Sequence, residues 1–163
     1  MRHQLIKGLC PLNVYTRDGH ALLLPAQSEL TATLEFSGKY ETLYDQAGLM
    51  LRVDPLNWIK AGIELSDGVT NFSAVVTREG LSDWFVCAVP LVQGPQRIRL
   101  VRKGGAVLVH FLNTAGVWQH LRLADFSAAD ARVGPMACSP QRAGFRCRFS
   151  DFRLEPPLAN PLH

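Results

Sequence analysis

The segment WIKAGIEL, residues 58–65, brings together the side chains best suited to chemistry. Its alternation sends Trp58, Lys60, Gly62 and Glu64 to one face and Ile59, Ala61, Ile63 and Leu65 to the other. A carboxylate and an ammonium group on one polar strand face are the raw material of acid–base chemistry. Glycoside hydrolysis needs a second carboxylate roughly 5–9.5 Å away, and Asp67 lies on the turn beyond the strand. Glu64 is the best catalytic candidate, yet no catalytic residue is assigned. Its competing roles are an ion pair with Lys60 or hydrogen bonds to Gln46 or Asn71. Lys60 is correspondingly either a groove-floor cation or a cross-strand partner that lays its stem along the sheet. Trp58 and Trp84 stand beside polar residues, where an indole can stack on a sugar ring while its N–H donates a hydrogen bond. The competing role for both is to cover a sheet edge. His20, in RDGHALL, is a further candidate for the same groove or a strand-end surface residue.

Other chemistries find little support. No Ser-His-Asp or Cys-His arrangement follows from the spacing. Gly104-Gly105 reads as a turn, and no G-x-x-x-x-G-K phosphate loop exists. Cys10, Cys87, Cys138 and Cys147 form no C-x-x-C pair and have no zinc-like histidine spacing, so reduced thiols are expected. The alternative, a Cys138–Cys147 bridge, belongs to a secreted chain. Asp45, Asp54, Asp83 and Asp151 include calcium-ligand types but no EF-hand spacing. No metal and no cofactor are expected.

Hairpins must position these groups. Asp67-Gly68 is a strong two-residue turn, because a type I′ turn needs positive φ at both positions. Counting outward, Glu64 faces Asn71, Gly62 faces Ser73, Lys60 faces Val75 and Trp58 faces Thr77. In the preceding hairpin, parity sets Gln46 beside Glu64, Gly48 beside Gly62, Met50 beside Lys60 and Arg52 beside Trp58. A six-residue loop, REGLSD, would bring Trp84 beside Thr77. The candidate ligand-binding set is therefore Gln46, Arg52, Trp58, Lys60, Glu64, Thr77 and Trp84, with Gly48, Gly62 and Ser73 as a low floor. The opposite face, Ile59, Ala61, Ile63, Leu65, Phe72, Ala74 and Val76, is the expected core.

Turn residues punctuate the chain about every ten residues, an all-β pattern. Strands are expected near 20–24, 29–36, 41–53, 57–66, 70–78, 83–90, 96–103, 105–112, 117–123, 132–138 and 145–154. Around Gly104-Gly105, the residues Ile98, Leu100, Val107, Val109 and Phe111 would face the core. Ala124–Arg132 is the one stretch with helical character. The 163 residues fit one domain over 1–155, and the proline-rich tail 156–163 is expected to fray. The net charge of +3 is spread along the chain, which excludes a nucleic-acid patch. No apolar run approaches the ~20 residues of a membrane span, and MRHQLIKGLC lacks a secretory signal, so a cytoplasmic location is expected.

The segments YETLYDQAGLMLR, NWIKAGIEL, SAVVTREGLSDW, RLVRKGGAVLVHF, VGPMACSP and RFSDFRL, within residues 17–154, resemble the family called domain of unknown function 1349. Its fungal relatives carry the name regulation of enolase protein. The resemblance implies an antiparallel two-sheet jelly-roll sandwich of the concanavalin A-like kind with a concave sheet. The E-x-D-x-E strand pattern of that superfamily's glucanases is absent. Members begin with a longer tryptophan-rich segment, so an edge strand here is either missing or supplied by residues 1–15. An open edge is a template for a homodimer. A second departure is Ala115-Gly116, where members have Asp-Gly. The leading expectation is a non-catalytic, carbohydrate-binding domain with its ligand in the trough of the concave sheet. The alternatives are an enzyme acting on a sugar or sugar phosphate through Glu64, and a cytosolic regulatory partner of a glycolytic enzyme.

Overall fold

The computed structural model describes residues 19–89 and 94–162. Among them are twelve strands and no helix: β1 (Gly19–Ala21), β2 (Leu24–Ala26), β3 (Leu30–Gly38), β4 (Gln46–Arg52), β5 (Trp58–Ser66), β6 (Val69–Arg78), β7 (Leu81–Ala88), β8 (Gln96–Lys103), β9 (Ala106–Leu112), β10 (Trp118–Asp125), β11 (Ala131–Cys138) and β12 (Cys147–Glu155). One antiparallel sheet runs β1-β11-β4-β5-β6-β7, with β2 also on β11; the other runs β10-β9-β8-β3-β12. The all-β two-sheet sandwich expected from the sequence is present. The edge assigned to residues 1–15 lies outside the described residues.

The alternation built the core as expected. Ile59, Ala61, Ile63, Phe72, Ala74 and Val76 meet Ile98, Leu100, Val107, Val109 and Phe111 between the sheets. The Phe72 and Phe111 rings stack across the interface with centroids 4.4 Å apart. Leu65 is the exception. It is only half-buried, because it sits opposite Thr70 at the end of the β5–β6 hairpin.

Several local readings need correction. The predicted strand 20–24 is two short pieces, β1 and β2, both paired to β11. The predicted strand 41–53 begins only at Gln46; Glu41–Asp45 is a turn in which the Asp45 carboxylate accepts the Glu41 and Thr42 N–H groups. The helical reading of Ala124–Arg132 fails. Arg102, fully buried on β8, draws the carbonyls of Ser127 and Ala129 to its guanidinium, together with that of Gln27. Carbonyls aimed at an arginine cannot close helical turns. The tail does not fray either. The Leu158 N–H donates to Thr31 Oγ1, and Lys103 Nζ donates to the Ala159 carbonyl, so 156–162 lies along the outer face of the second sheet.

The six-residue loop before Trp84 is a two-residue turn. Glu79 and Gly80 have φ of 50° and 80°, so β6 and β7 form a tight hairpin. Glutamate is unusual at positive φ, and its support comes from outside the hairpin. Asp54 Oδ1 accepts the Leu56 and Asn57 N–H groups and braces the β4–β5 loop. That loop then holds the turn, through Asn57 Oδ1 to the Glu79 N–H and the Leu56 carbonyl to the Gly80 N–H. No disulfide joins Cys87, Cys138 and Cys147 to one another, and Cys10 lies outside the described residues.

Two neighbouring core-side residues of β5 should respond differently to truncation. Ile63→Ala leaves a cavity between the sheets and should cost roughly 2–5 kcal/mol. Leu65→Ala should cost well under half of that, since its side chain is already partly in water. Urea unfolding of both variants checks the difference, and equal losses would contradict the burial pattern.

Candidate functional site

The strand registers arrange the outer face of the first sheet in rows that cross the strands. One row is Met136, Gly48, Gly62, Ser73 and Val86. It is low in the middle by necessity. A Cβ on Gly62 would lie 2.0 Å from the Ala47 carbonyl oxygen, and one on Gly48 would lie 2.1 Å from that of Ala61. No side chain fits at either position, so the sheet keeps a furrow there.

The flanking rows supply the walls. Cys138, Gln46, Glu64, Asn71 and Ala88 form one; Gly134, Met50, Lys60, Val75 and Trp84 form the other. Two hydrogen-bonded chains link the walls across the furrow. Lys60 Nζ donates to Gln46 Oε1 at 2.6 Å, and Gln46 Nε2 donates to the Tyr44 carbonyl. The Trp84 indole N–H donates to Ser73 Oγ at 3.0 Å, and that hydroxyl donates to Glu64 Oε2 at 2.7 Å. Tyr44 meets the Trp84 ring edge-on, with centroids 6.4 Å apart. Trp84 is 45% exposed and Glu64 only 5%. The depression between them, lined by Gln46, Lys60, Gly62, Glu64, Ser73 and Met136 among others, holds about 10 Å³. That is roughly the space of one water molecule.

Past the Gln46 end, Asp45 anchors the rim. Burial alone would raise its pKa. Hydrogen bonds from Arg142, Ser139 and the Glu41 and Thr42 N–H groups outweigh this and bring it down to about 2. Arg142 Nη2 and Ser139 Oγ each lie 2.6 Å from an Asp45 oxygen. Arg142 also bonds Glu41 Oε2 and the Lys39 carbonyl, tying the 139–145 loop to the turn before β4. Beside this clamp is an open cavity of about 580 Å³, lined by His20, Cys138, Arg142 and Phe145 among others.

A family model described as "Protein of unknown function (DUF1349)" matches residues 12–157. The chain belongs to this family. "Regulation of enolase protein 1" from Saccharomyces cerevisiae is 41% identical over 154 residues, spanning 91% of this chain and 76% of that protein. The crystal structure of a functionally unknown protein from Saccharomyces cerevisiae superposes with a TM-score of 0.83 at 39% identity, over 89% of this chain and 79% of the other. The GH43 BlXynB protein from Bacillus licheniformis shares the fold, with a TM-score of 0.75 at 12% identity, over 93% of this chain but 32% of that one. So does the CBM2 module of the Lactobacillus casei BL23 phage J-1 evolved Dit, at a TM-score of 0.58 and 10% identity, over 85% of this chain and 69% of that one.

In this DUF1349 domain, four of the seven residues proposed from the sequence converge: Gln46, Lys60, Glu64 and Trp84. Trp58, Arg52 and Thr77 fall in the next row and do not join them. Trp58 is 3% exposed and packs with Met50, Val75, Met136 and Leu23, so it is a covered apolar cluster and not a stacking platform. Its indole nitrogen has no hydrogen-bond partner among the described residues. Thr77 is fully buried and shares a hydrogen bond with Ser82. Arg52 Nε donates to the Asp54 carbonyl. The tight Glu79-Gly80 turn sets Trp84 opposite Val75 instead of Thr77, two positions along, which preserves its face and moves it to the furrow. Glu64 is bonded by Ser73 and not by Lys60, Gln46 or Asn71; the Asn71 amide turns to Ser66 and to the Val69 carbonyl. His20 lines the larger cavity, not the furrow.

Tyr44 was missed because it precedes the alternating run, at a φ of 67° that no local pattern announces. Ser73 was read as floor only; its double hydrogen bond depends on where Trp84 lands. Asp45, Asp54, Asp83 and Asp151 all have protein partners: Arg142, Asn57, Arg122, and Arg97 with Arg153. Among the described residues no cluster of three or more His, Cys, Asp or Glu side chains could hold a metal ion, and no helix is long and apolar enough to cross a membrane.

Two outcomes follow. The Asp45 carboxyl ionises more easily when folded than when unfolded, so its contribution is full above about pH 4 and is lost as pH falls toward 2. That contribution is on the order of 2 kcal/mol. Denaturant titrations against pH should show this acid loss in the wild type and a flatter profile in Asp45→Asn, which starts out less stable. Gly62→Ala should destabilise by at least about 1–3 kcal/mol, because its methyl meets backbone that cannot swing aside. A neutral effect in thermal unfolding would disprove the furrow geometry.

Proposed function

We propose that the furrow is a carbohydrate-binding site and that this domain binds without catalysing. The observation that carries the reading is the Trp84–Ser73–Glu64 chain beside Lys60–Gln46. An exposed indole, held edge-on by Tyr44 and fixed through its N–H, offers a flat apolar platform directly beside a donor and an acceptor. Sugars present the complementary pairing, an apolar ring face with hydroxyls around its rim. Lys60 spends one of its three donors on Gln46, and Glu64 Oε1 has no hydrogen-bond partner among the described residues. The fold is shared with a CBM2 module and with a GH43 chain. Against hydrolysis, Glu64 is the sole carboxylate among the described residues lining the depression, whereas two-carboxylate mechanisms need a pair roughly 5–9.5 Å apart.

A second reading, regulation of a partner protein, follows from the yeast relative's name and from the exposed Leu81, Phe85 and Val86 of β7. A thermal-shift screen with neutral sugars and sugar phosphates separates the two. A true ligand at a hundredfold its Kd should stabilise the domain by about 2.7 kcal/mol. Trp84→Ala should remove the platform. Glu64→Gln should weaken binding about tenfold or more, since hydrogen bonds to charged groups contribute about 1.5–3 kcal/mol. An enzyme would instead lose turnover in Glu64→Gln while keeping affinity. Full affinity in both variants would exclude this site.

A further inference from the structure

We propose that the outer face of the second sheet carries a separate site, which binds the phosphoryl group of a small molecule through Arg99 and His120. The strand registers set three basic side chains side by side there. Arg99 on β8 stands opposite His110 on β9, and His110 stands opposite His120 on β10. The row faces away from the core, because Ile98 and Leu100, on either side of Arg99, are the residues that pack between the sheets. Among the described residues no carboxylate pairs with Arg99, His110 or His120. On the same sheet, Glu35 and Asp151 are taken by Arg97 and Arg153.

Arg99 is the exception among the arginines. Among the described residues, Arg52, Arg97, Arg102, Arg122 and Arg142 are also buried or half-buried, and each donates to a carbonyl or a carboxylate. Arg99 is half-buried and has no such acceptor; its Nε is closed off from water without a partner among the described residues. Its guanidinium lies on the Trp118 ring, 4.4 Å from the centroid. A guanidinium stacked by its face keeps the N–H groups of its edge free. His110 registers the positive field. It is buried, and burial, Arg99 and His120 together bring its pKa down to about 4, against the pull of the Pro161 carbonyl. It is therefore neutral at pH 7 and supplies no charge of its own.

The strip has two borders. Trp118 stands two positions before His120 on the same face of β10. On the opposite side the tail reaches His110 at Pro161, and the adjoining pair, Val101 and Leu108, is buried. An oxyanion between the Arg99 edge and the exposed His120 imidazole would supply the missing acceptor. Arginine donates parallel N–H groups to two oxygens, and a histidine ring donates an N–H in either charge state. A phosphoryl group, with three acceptor oxygens and close to two negative charges, serves donors from separate strands better than a carboxylate does.

The test titrates the full chain with inorganic phosphate, methyl phosphate and acetate at pH 7 and constant ionic strength. Nuclear magnetic resonance follows the Trp118 and Trp84 indole N–H signals and the His120 ring. The expected result is that both phosphates move Trp118 and His120 saturably while Trp84, in the furrow, stays still, and that acetate binds at least about fivefold more weakly. Methyl phosphate should bind at least as tightly as inorganic phosphate. Arg99→Met, which keeps an apolar stem against Trp118, should weaken methyl phosphate about tenfold or more, and His120→Ala, at an exposed position, about threefold or more. No saturable shift up to about 50 mM phosphate would overturn the proposal. So would a response confined to Trp84, or affinity unchanged in both variants. Acetate binding as tightly as phosphate would overturn the phosphoryl assignment, and binding of inorganic phosphate alone would overturn its assignment to a phosphorylated small molecule.

Discussion

The pairing of β5 with β6 and β4 decides which atoms of this protein are core and which are furrow. Side chains on a strand alternate with a period of two, so a slip of one residue would exchange the faces completely. Ile59, Ala61 and Ile63 would go to solvent, and Lys60 and Glu64 would enter the apolar layer between the sheets. Burying an unpaired charge costs far more than any surface contact returns. The Asp67-Gly68 turn fixes the count at one end, with Asp67 and Gly68 at φ of 52° and 75°. The Gly48–Gly62 pair fixes it again in the middle, because only glycines tolerate backbone that close.

Polar side chains far apart in sequence then hold the loops around this frame. Asp54 and Asn57 brace the turn that aims Trp84. Asp45 and Arg142, close to a hundred residues apart, clamp the rim past the Gln46 wall. Arg102 collects three backbone carbonyls at the far end of the second sheet. Each of these groups is buried or half-buried, where an unmet hydrogen bond costs about 1–3 kcal/mol. They therefore specify loop conformations that apolar packing alone would leave loose.

The furrow differs from these braces in being incompletely satisfied. Among the described residues, Glu64 has a single hydrogen-bond partner and Lys60 no ion pair, although the two stand on one strand with only Gly62 between them on that face. Structural networks of buried charge usually close on themselves. Here the acceptor and the donor are held apart by separate partners, Ser73 and Gln46, and face the same small opening beneath an exposed indole.

The sequence by itself determined the frame. Period-two alternation, Asp67-Gly68 and Gly104-Gly105 were enough to assign the all-β class, the β4–β5–β6 register and the core residues of β5, β6, β8 and β9 apart from Leu65, because those signals are local. It also placed Gln46, Lys60 and Glu64 on one face. Tertiary structure decided the rest. Glu79 adopts positive φ only because Leu56 and Asn57 hold the turn, so the position of Trp84 was not readable from REGLSD. Trp58 looked like a platform by its polar neighbours in sequence, yet Leu23 and Met136, distant along the chain, cover it. Tyr44, the Asp45 clamp, the loop of 124–132 around Arg102 and the docked tail all rest on partners many residues away. Such contacts depend on how the sheets and loops close on one another, and no window along the chain contains that information.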